Sequence, residues 1–311
     1  MRDHDDHDPV AIQRLLVLRQ FPGFADAELS ELATIAENVI DHTWPAGSVV
    51  VAPGGRVPSI QLVVAGQLAT EEGDTSWGPR ELFGAFEVMA GRAAASRVVA
   101  VSDTRTLQLA ASDFAEIMED SYSLLTSARR ALARRLLALG GDRPCSAGAL
   151  SHPVVRPTRL DMVDRLIVLR QQLPFSTSRI QPLAALAQAT EELRLPVGAL
   201  LARRGELPEG AMVLLEGAAR ATHPQREPRI LVEGHAIGGL ETLAELPYAA
   251  TIEAVTPVRA LRIPNAAMFD VMEDHPDFAI AMLGRLANAL LESSPRSPAP
   301  LGAPPDDPSY S

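Results

Sequence analysis

The chain has 311 residues, 47% of them hydrophobic, with a formal net charge of −11 and a pI near 5.1. That length supports two ordinary domains with cores of their own, and the acidity sets the chain against phosphate backbones unless a local basic patch intervenes. Cys145 is the single cysteine, which excludes an intrachain disulfide and a cysteine-built zinc site.

The opening stretch, residues 1–10, is polar and acidic and lacks the hydrophobic segment of a signal peptide. No apolar run reaches membrane-spanning length, so a soluble cytoplasmic protein without a membrane partner is expected. In Asp26–Asn38 the residues Leu29, Leu32, Ala33, Ile35 and Ala36 keep helical spacing, with Asp26 as N-cap. Short β-rich runs follow at Ser48–Ala52, Ile60–Val64, Arg97–Val101 and Thr106–Leu109. Gly47, Gly54-Gly55, Gly66 and Gly78-Pro79 punctuate them as tight turns do in a compact roll. From Ser112 to Leu139 helical periodicity returns through Phe114, Ile117, Met118, Leu124, Leu125, Leu132 and Leu136, and Gly140-Gly141 stops it.

Residues 141–159, rich in Gly, Pro and Ser, read as a linker. The pattern then starts again. Ile180, Leu183, Ala184, Leu186 and Ala187 repeat the first helical face, and Met268–Leu291 repeats the closing one. Residues 294–311 form a Pro- and Ser-rich tail expected to be disordered.

An internal repeat underlies this order. At an offset of 151, Leu18-Arg19-Gln20 recurs as Leu169-Arg170-Gln171, Phe24 as Phe175, Pro45-Ala46-Gly47 as Pro196-Val197-Gly198, and Gly66 as Gly217. After an insertion around Pro224–Arg229 the offset becomes 154: Phe83-Gly84 matches Ile237-Gly238, Ala100 matches Ala254, and residues 117–120 match 271–274. The expected domains are 10–140 and 160–293, and the fold class is α+β, mainly β. It comprises two tandem antiparallel, jelly-roll-like β-rolls, each flanked by N- and C-terminal helices.

The marks Pro45-x-Gly47, Leu62-Val63-Val64-x-Gly66, and Phe83-Gly84 followed sixteen residues later by Ala100 resemble those of the cyclic nucleotide-binding domain. So do Pro196-x-Gly198, Val213-Leu214-Leu215-x-Gly217 and the segment Pro247 to Ala254. That fold is shared by catabolite-activator-type regulators and the regulatory subunits of cyclic-AMP-dependent kinase. The resemblance implies a short helix after Phe-Gly whose backbone N–H groups face a cyclic phosphate, as a helix start favours an anion. It also implies a Glu just after that Gly for the ribose 2′-hydroxyl, and an Arg about ten residues on for the phosphate.

Both copies depart from this pattern. The Glu position holds Ala85 in the first copy and Gly239 in the second; the Arg position holds Ala94 and Tyr248. Losing a desolvated charge partner costs roughly 2–5 kcal/mol, which moves a micromolar affinity towards millimolar. In the first copy Arg92 and Arg97 flank the missing arginine and Glu87 lies near the missing glutamate, whereas the second copy has only Glu241. The candidate ligand segment of the first copy is therefore Phe83, Gly84, Ala85, Phe86, Arg92, Ala95 and Ser96, a degenerate site. In the second copy Ile237, Gly238, Gly239, Leu240, Tyr248, Ala249 and Ala250 form a segment expected to be inactive. Arg97 alternates with Val98 on a strand and is expected to face solvent.

Other chemistries find no support. The seven histidines include no His-x-His pair in either β region, which argues against a metal-dependent cupin, and no metal site is expected. No phosphate loop, dinucleotide fingerprint or nucleophile elbow is present, so no catalytic residue is assigned and no enzyme is expected. Arg129, Arg130, Arg134 and Arg135 read as the polar face of the closing helix rather than as a nucleic-acid stripe. No helix-turn-helix domain is expected after either copy, and the roughly ten residues before the first are not expected to serve as a kinase docking and inhibitory segment. The reading is a non-catalytic regulatory protein of bacterial type without a cofactor. It senses cyclic AMP or cyclic GMP weakly, through the first copy at best, or a divergent ligand. It signals through its closing helices to a protein partner. The alternative is a ligand-free scaffold that uses the two rolls as a pseudo-dimer.

Overall fold

The computed structural model describes residues 9–21, 24, 27–139 and 159–293. Asp26, the tail and all of the expected linker except Arg159 lie outside them. The described chain divides into two compact units, Met1–Ala131 with Ala287–Ser311, and Leu132–Leu286.

The first unit opens with α1 (Pro9–Leu18) and α2 (Leu29–Asn38). Helix α2 starts from Glu28, where Glu28 and Glu31 form a reciprocal capping box, so two backbone N–H groups at the helix start find side-chain acceptors. Eight strands follow: β1 (Ile40–Trp44), β2 (Val49–Val51), β3 (Ser59–Ala65), β4 (Leu68–Thr70), β5 (Ser76–Trp77), β6 (Leu82–Phe83), β7 (Val98–Ala100) and β8 (Thr104–Ala110), with α3 (Ala85–Ala90) between β6 and β7. They make two antiparallel sheets, β1-β8-β3-β6 and β2-β7-β4-β5, whose inner faces meet as a roll. Helix α4 (Ala111–Asp120) and the start of α5 (Tyr122–Ala138) complete the described N-terminal part.

The second unit repeats the plan. After α6 (Met162–Arg170), a short 3-10 turn (Leu173–Phe175) and α7 (Ile180–Ala189) come eight strands. These are β9 (Glu191–Leu195), β10 (Leu200–Ala202), β11 (Gly210–Glu216), β12 (Ala219–His223), β13 (Arg226–Leu231), β14 (Ala236–Ile237), β15 (Thr251–Ala254) and β16 (Val258–Pro264). Helix α8 (Gly239–Ala244) lies between β14 and β15, and α9 (Asn265–Asp274) and α10 (Pro276–Ser293) close the chain. The sheets run β9-β16-β11-β14 and β10-β15-β12-β13, the same order strand for strand. Register repeats too. Gln61 faces Phe83 and Leu62 faces Leu82 in the first roll, while Met212 faces Ile237 and Val213 faces Ala236 in the second. The offsets of 151 and 154 read from the sequence thus relate hydrogen-bonded partners, not merely similar letters.

Each expected strand run contains a strand, but β1, β4, β5 and β6 escaped the sequence reading. Two of them are two residues long, and β1 carries little periodic burial. The helical stretch expected over Ser112–Leu139 is two helices that meet at Ser121, an extended residue between α4 and α5 whose hydroxyl accepts from Leu124 N–H. The matching break falls at His275, before Pro276 at the start of α10. A serine cap and a first-turn proline are ordinary helix-start signals. Arg129 also departs from the polar-face reading, being 2% exposed. It shares a helical face with the buried Leu125, Leu132 and Ala133, three and four residues away.

In the second unit Arg259 is buried between two carboxylates, at 2.9 Å from Glu192 and 2.8 Å from Glu216. Glu192 also accepts from Leu160 N–H at 2.7 Å and faces Arg165 at 4.0 Å. Burial alone would raise the Glu192 carboxyl; hydrogen bonds from Arg259 and Leu160 and the nearby positive charges outweigh it and hold it below its ordinary 4.5. A depressed carboxyl contributes stability above 4.5 that is lost as pH falls through its folded-state value. Glu192→Gln is therefore expected to destabilise at pH 7 by about 3 kcal/mol. Urea midpoints measured against pH should show that deficit shrinking below pH 4.5.

Candidate ligand-binding site

In both rolls the chain leaves a two-residue strand through a left-handed glycine and turns at once into a short helix. Gly84 (φ 87°) precedes α3 and Gly238 (φ 74°) precedes α8. A side chain is excluded at each by backbone conformation and by space. A Cβ on Gly84 would meet Val57 at 2.8 Å, and one on Gly238 would meet the Tyr248 ring at 2.9 Å. The sequence assignment of Phe83-Gly84 and Ile237-Gly238 to one local geometry holds in these backbone angles.

The third helical residue is a glutamate in each case, Glu87 and Glu241. Glu87 is buried and Glu241 half-buried. Burial raises both carboxyls from 4.5, and their own backbone N–H groups lower them only part of the way back. The first turn of each short helix thus carries a carboxyl group rather than a positive side chain.

In the first roll, Phe83, Gly84, Ala85 and Phe86 are buried, and so is Ala94 at the position of the absent arginine. Ala95 is exposed and Ser96 half-buried. Arg92 follows Gly91, the left-handed end of α3, and donates to Asn288 Oδ1 at 3.1 Å with Glu292 at 3.9 Å, both on α10 and inside the first unit. Arg97 pairs with Glu71 at the surface. Trp77 packs edge-on against Phe83 with ring centroids 4.9 Å apart and fills the roll interior.

In the second roll the positions of Trp77 and Phe83 fall to the smaller Leu231 and Ile237. A pocket of about 330 Å³ opens there, lined by Gly238, Gly239 and Leu240 on one side and by Ala249, Ala250 and Ile252 on another. Tyr248 closes its floor. It is 8% exposed, and its backbone bonds to Gly205 and Glu206 at 2.9 Å each. Its hydroxyl oxygen lies 3.0 Å from where a Gly238 Cβ would stand. Burial, with the charges of Glu241 and Glu209 against the weaker opposing charge of Arg262, pushes its hydroxyl up to about 12. The ring stands beside Gly238 at the start of α8 and brings no positive charge.

Other contributors to this pocket, Arg229, Arg226, Glu227 and Leu137 among them, were not read from the sequence. Arg229 and Arg226 come from β13, across the roll from α8. Leu137 comes from the end of α5, which belongs to the same unit. Nearby, Arg134 Nε donates to the Ala244 carbonyl at 3.2 Å, satisfying an acceptor at the C-terminal end of α8. The insertion around Pro224–Arg229 was legible as a change of offset, and its arginines were the available signal. Among the described residues no group of three or more His, Cys, Asp or Glu could hold a metal ion, and no helix is long and apolar enough to cross a membrane.

Two substitutions test this geometry. Glu245 ends α8 in the left-handed region (φ 53°), where the first roll has Gly91 (φ 63°). Glu245→Gly should therefore raise stability by about 1 kcal/mol in urea unfolding. Glu241→Gln should stabilise at pH 7, because a raised carboxyl contributes fully only below 4.5 and loses its contribution as pH rises through the folded-state value. Melting curves of parent and variant should converge below pH 4.5.

Residues 192–275 match the family model described as the cyclic nucleotide-binding domain, a span that runs from β9 to the end of α9. No curated protein matches the chain. Among solved structures, the regulatory domain of Toxoplasma gondii PKA with cAMP is 19% identical, with 89% of this chain and 96% of that chain covered and a TM-score of 0.33. The sensor domain of the transcriptional regulator DNR from Pseudomonas aeruginosa is 22% identical over 44% of this chain and 95% of that one, at 0.36. The N-terminal domain of a Streptomyces coelicolor A3(2) transcriptional regulator is 25% identical over 41% and 93%, at 0.37. Superpositions this loose add nothing to the strand order and the family match. By that match the second roll is a cyclic nucleotide-binding domain in family, and the first roll repeats its strand order and register.

Proposed function

We propose that this chain is a non-catalytic regulatory protein, without a cofactor of its own, whose second roll senses a small ligand other than a tightly held cyclic nucleotide. The observation that carries the reading is Tyr248, buried against Gly238 at the start of α8 where the family places a phosphate-binding arginine. A cyclic phosphate entering there meets the carboxyl group of Glu241 and no compensating cation from the 247–250 segment. In a desolvated site that loss is worth several kcal/mol.

The first roll is the weaker candidate on this reading, reversing the order suggested by its flanking arginines. Trp77 and Phe83 pack its interior, and Arg92 is engaged by α10. Signalling through a closing helix draws support from Arg134 at the end of α8 and from Leu137 in the pocket lining. A ligand that shifts α8 then alters what the last turns of α5 pack against.

Calorimetric titration of the full chain with cyclic AMP and cyclic GMP tests the reading. Dissociation constants of about a millimolar or weaker are expected, and micromolar binding would overturn it. The double variant Gly239→Glu with Tyr248→Arg restores both missing side chains and should tighten cyclic AMP at least about tenfold, with melting temperature as the folding control.

A further inference from the structure

We infer that the second roll takes an organic anion with an apolar body, and that Arg229 on β13, not the α8 segment, reads the anionic group. The inference rests on the ligand-sensing reading above and names the ligand class for the same pocket.

Strand register places Arg229. Ala219 pairs with Leu231 and Ala221 with Arg229 on the β12–β13 ladder. Ala219 and Leu231 belong to the roll's buried core, and Ala221 packs against it. Side chains two apart on a strand share a face, so Arg229 projects from the same face as Leu231, into the roll. It is half-buried and lines the pocket, with Arg226 beside it at the outer end of the strand. The first roll has Thr75 at the corresponding position, on the strand side of a turn held by Thr70 and Asp74. The inward arginine is therefore a property of the second roll alone, brought by the segment where the repeat offset changes.

Charge within the pocket is divided. The α8 side carries Glu241 and Tyr248, whereas the β13 side carries Arg229 and Arg226 together with Glu227, all three lining the pocket, so that two guanidinium groups face one carboxylate there. Leu231, Leu240, Ile237 and Ile252 lie between. A volume of about 330 Å³ is at the small end of ligand sites and suits a body of one or two rings. A carboxylate or sulfonate on such a body meets a planar guanidinium at one end and apolar side chains along its length.

The test is calorimetric titration of the full chain with 2-naphthoate and with its neutral counterpart 2-naphthamide. The carboxylate is expected to bind at least about tenfold tighter. Arg229→Gln should erase that preference, Arg229→Lys should keep part of it, and melting curves should show all three proteins folded. Equal binding of the two probes, a preference that survives Arg229→Gln, or no binding of either at about 10 mM would each overturn the inference. A parallel cyclic AMP arm separates the two levels. Micromolar cyclic AMP binding unaffected by Arg229→Gln overturns the ligand-sensing reading and this one together. Weak cyclic AMP binding without a naphthoate preference overturns only the assignment to Arg229.

Discussion

In both rolls the first turn of the short helix carries a carboxyl group that burial holds above its ordinary range. Glu87 and Glu241 sit at the third position of six-residue helices, where desolvation disfavours the charged form. A helix start offers unused donors and the positive end of a dipole, and a family built on that property binds phosphate there. A phosphate arriving there meets the like charge of that side chain when it is ionised. The arginine that the resemblance implies about ten positions on would offset it, and those positions hold Ala94 in one roll and Tyr248 in the other. The rest of each roll has followed a different course. The first is filled by Trp77, and the second keeps a pocket whose positive side chains lie on the opposite strand.

Much of the architecture was legible in the sequence because both rolls answer to the same constraints. Turn glycines recur at offsets of 151 and 154 where backbone geometry admits no other residue, as at Gly84 and Gly238. Core positions recur because the sheets pair in the same register: Leu18 and Leu169 are both fully buried, as are Leu32 and Leu183. Missed elements were those with the fewest residues to carry a period. Two-residue strands such as β5 and β6 exist by pairing with longer neighbours, Leu68 with Trp77 and Leu62 with Leu82, not by their own pattern.

The site was less legible, for a different reason. The repeat offsets located the segments at 83–96 and 237–250, and the family resemblance implied which charged residues they lack. Neither could show what faces those segments across the roll. Arg229 lies only nine residues before Gly238, but the spacing alone does not show that strand β13 and helix α8 line one cavity. Arg92 lies at the right sequence distance to approach a phosphate, and Asn288 and Glu292 hold it from almost two hundred residues away. Long-range pairing of this kind depends on how sheets and helices close, which local spacing does not encode.

The backbone amides of Gly239 and Leu240 report most directly on whether the helix start still receives a phosphate. Their proton and nitrogen chemical shifts, followed while micromolar cyclic AMP is added to the full-length chain, are predicted to stay where they are. Large, saturating movements of those two resonances would mean that a nucleotide phosphate reaches the helix start past Glu241 and the tyrosine ring, which contradicts a helix start closed to phosphate.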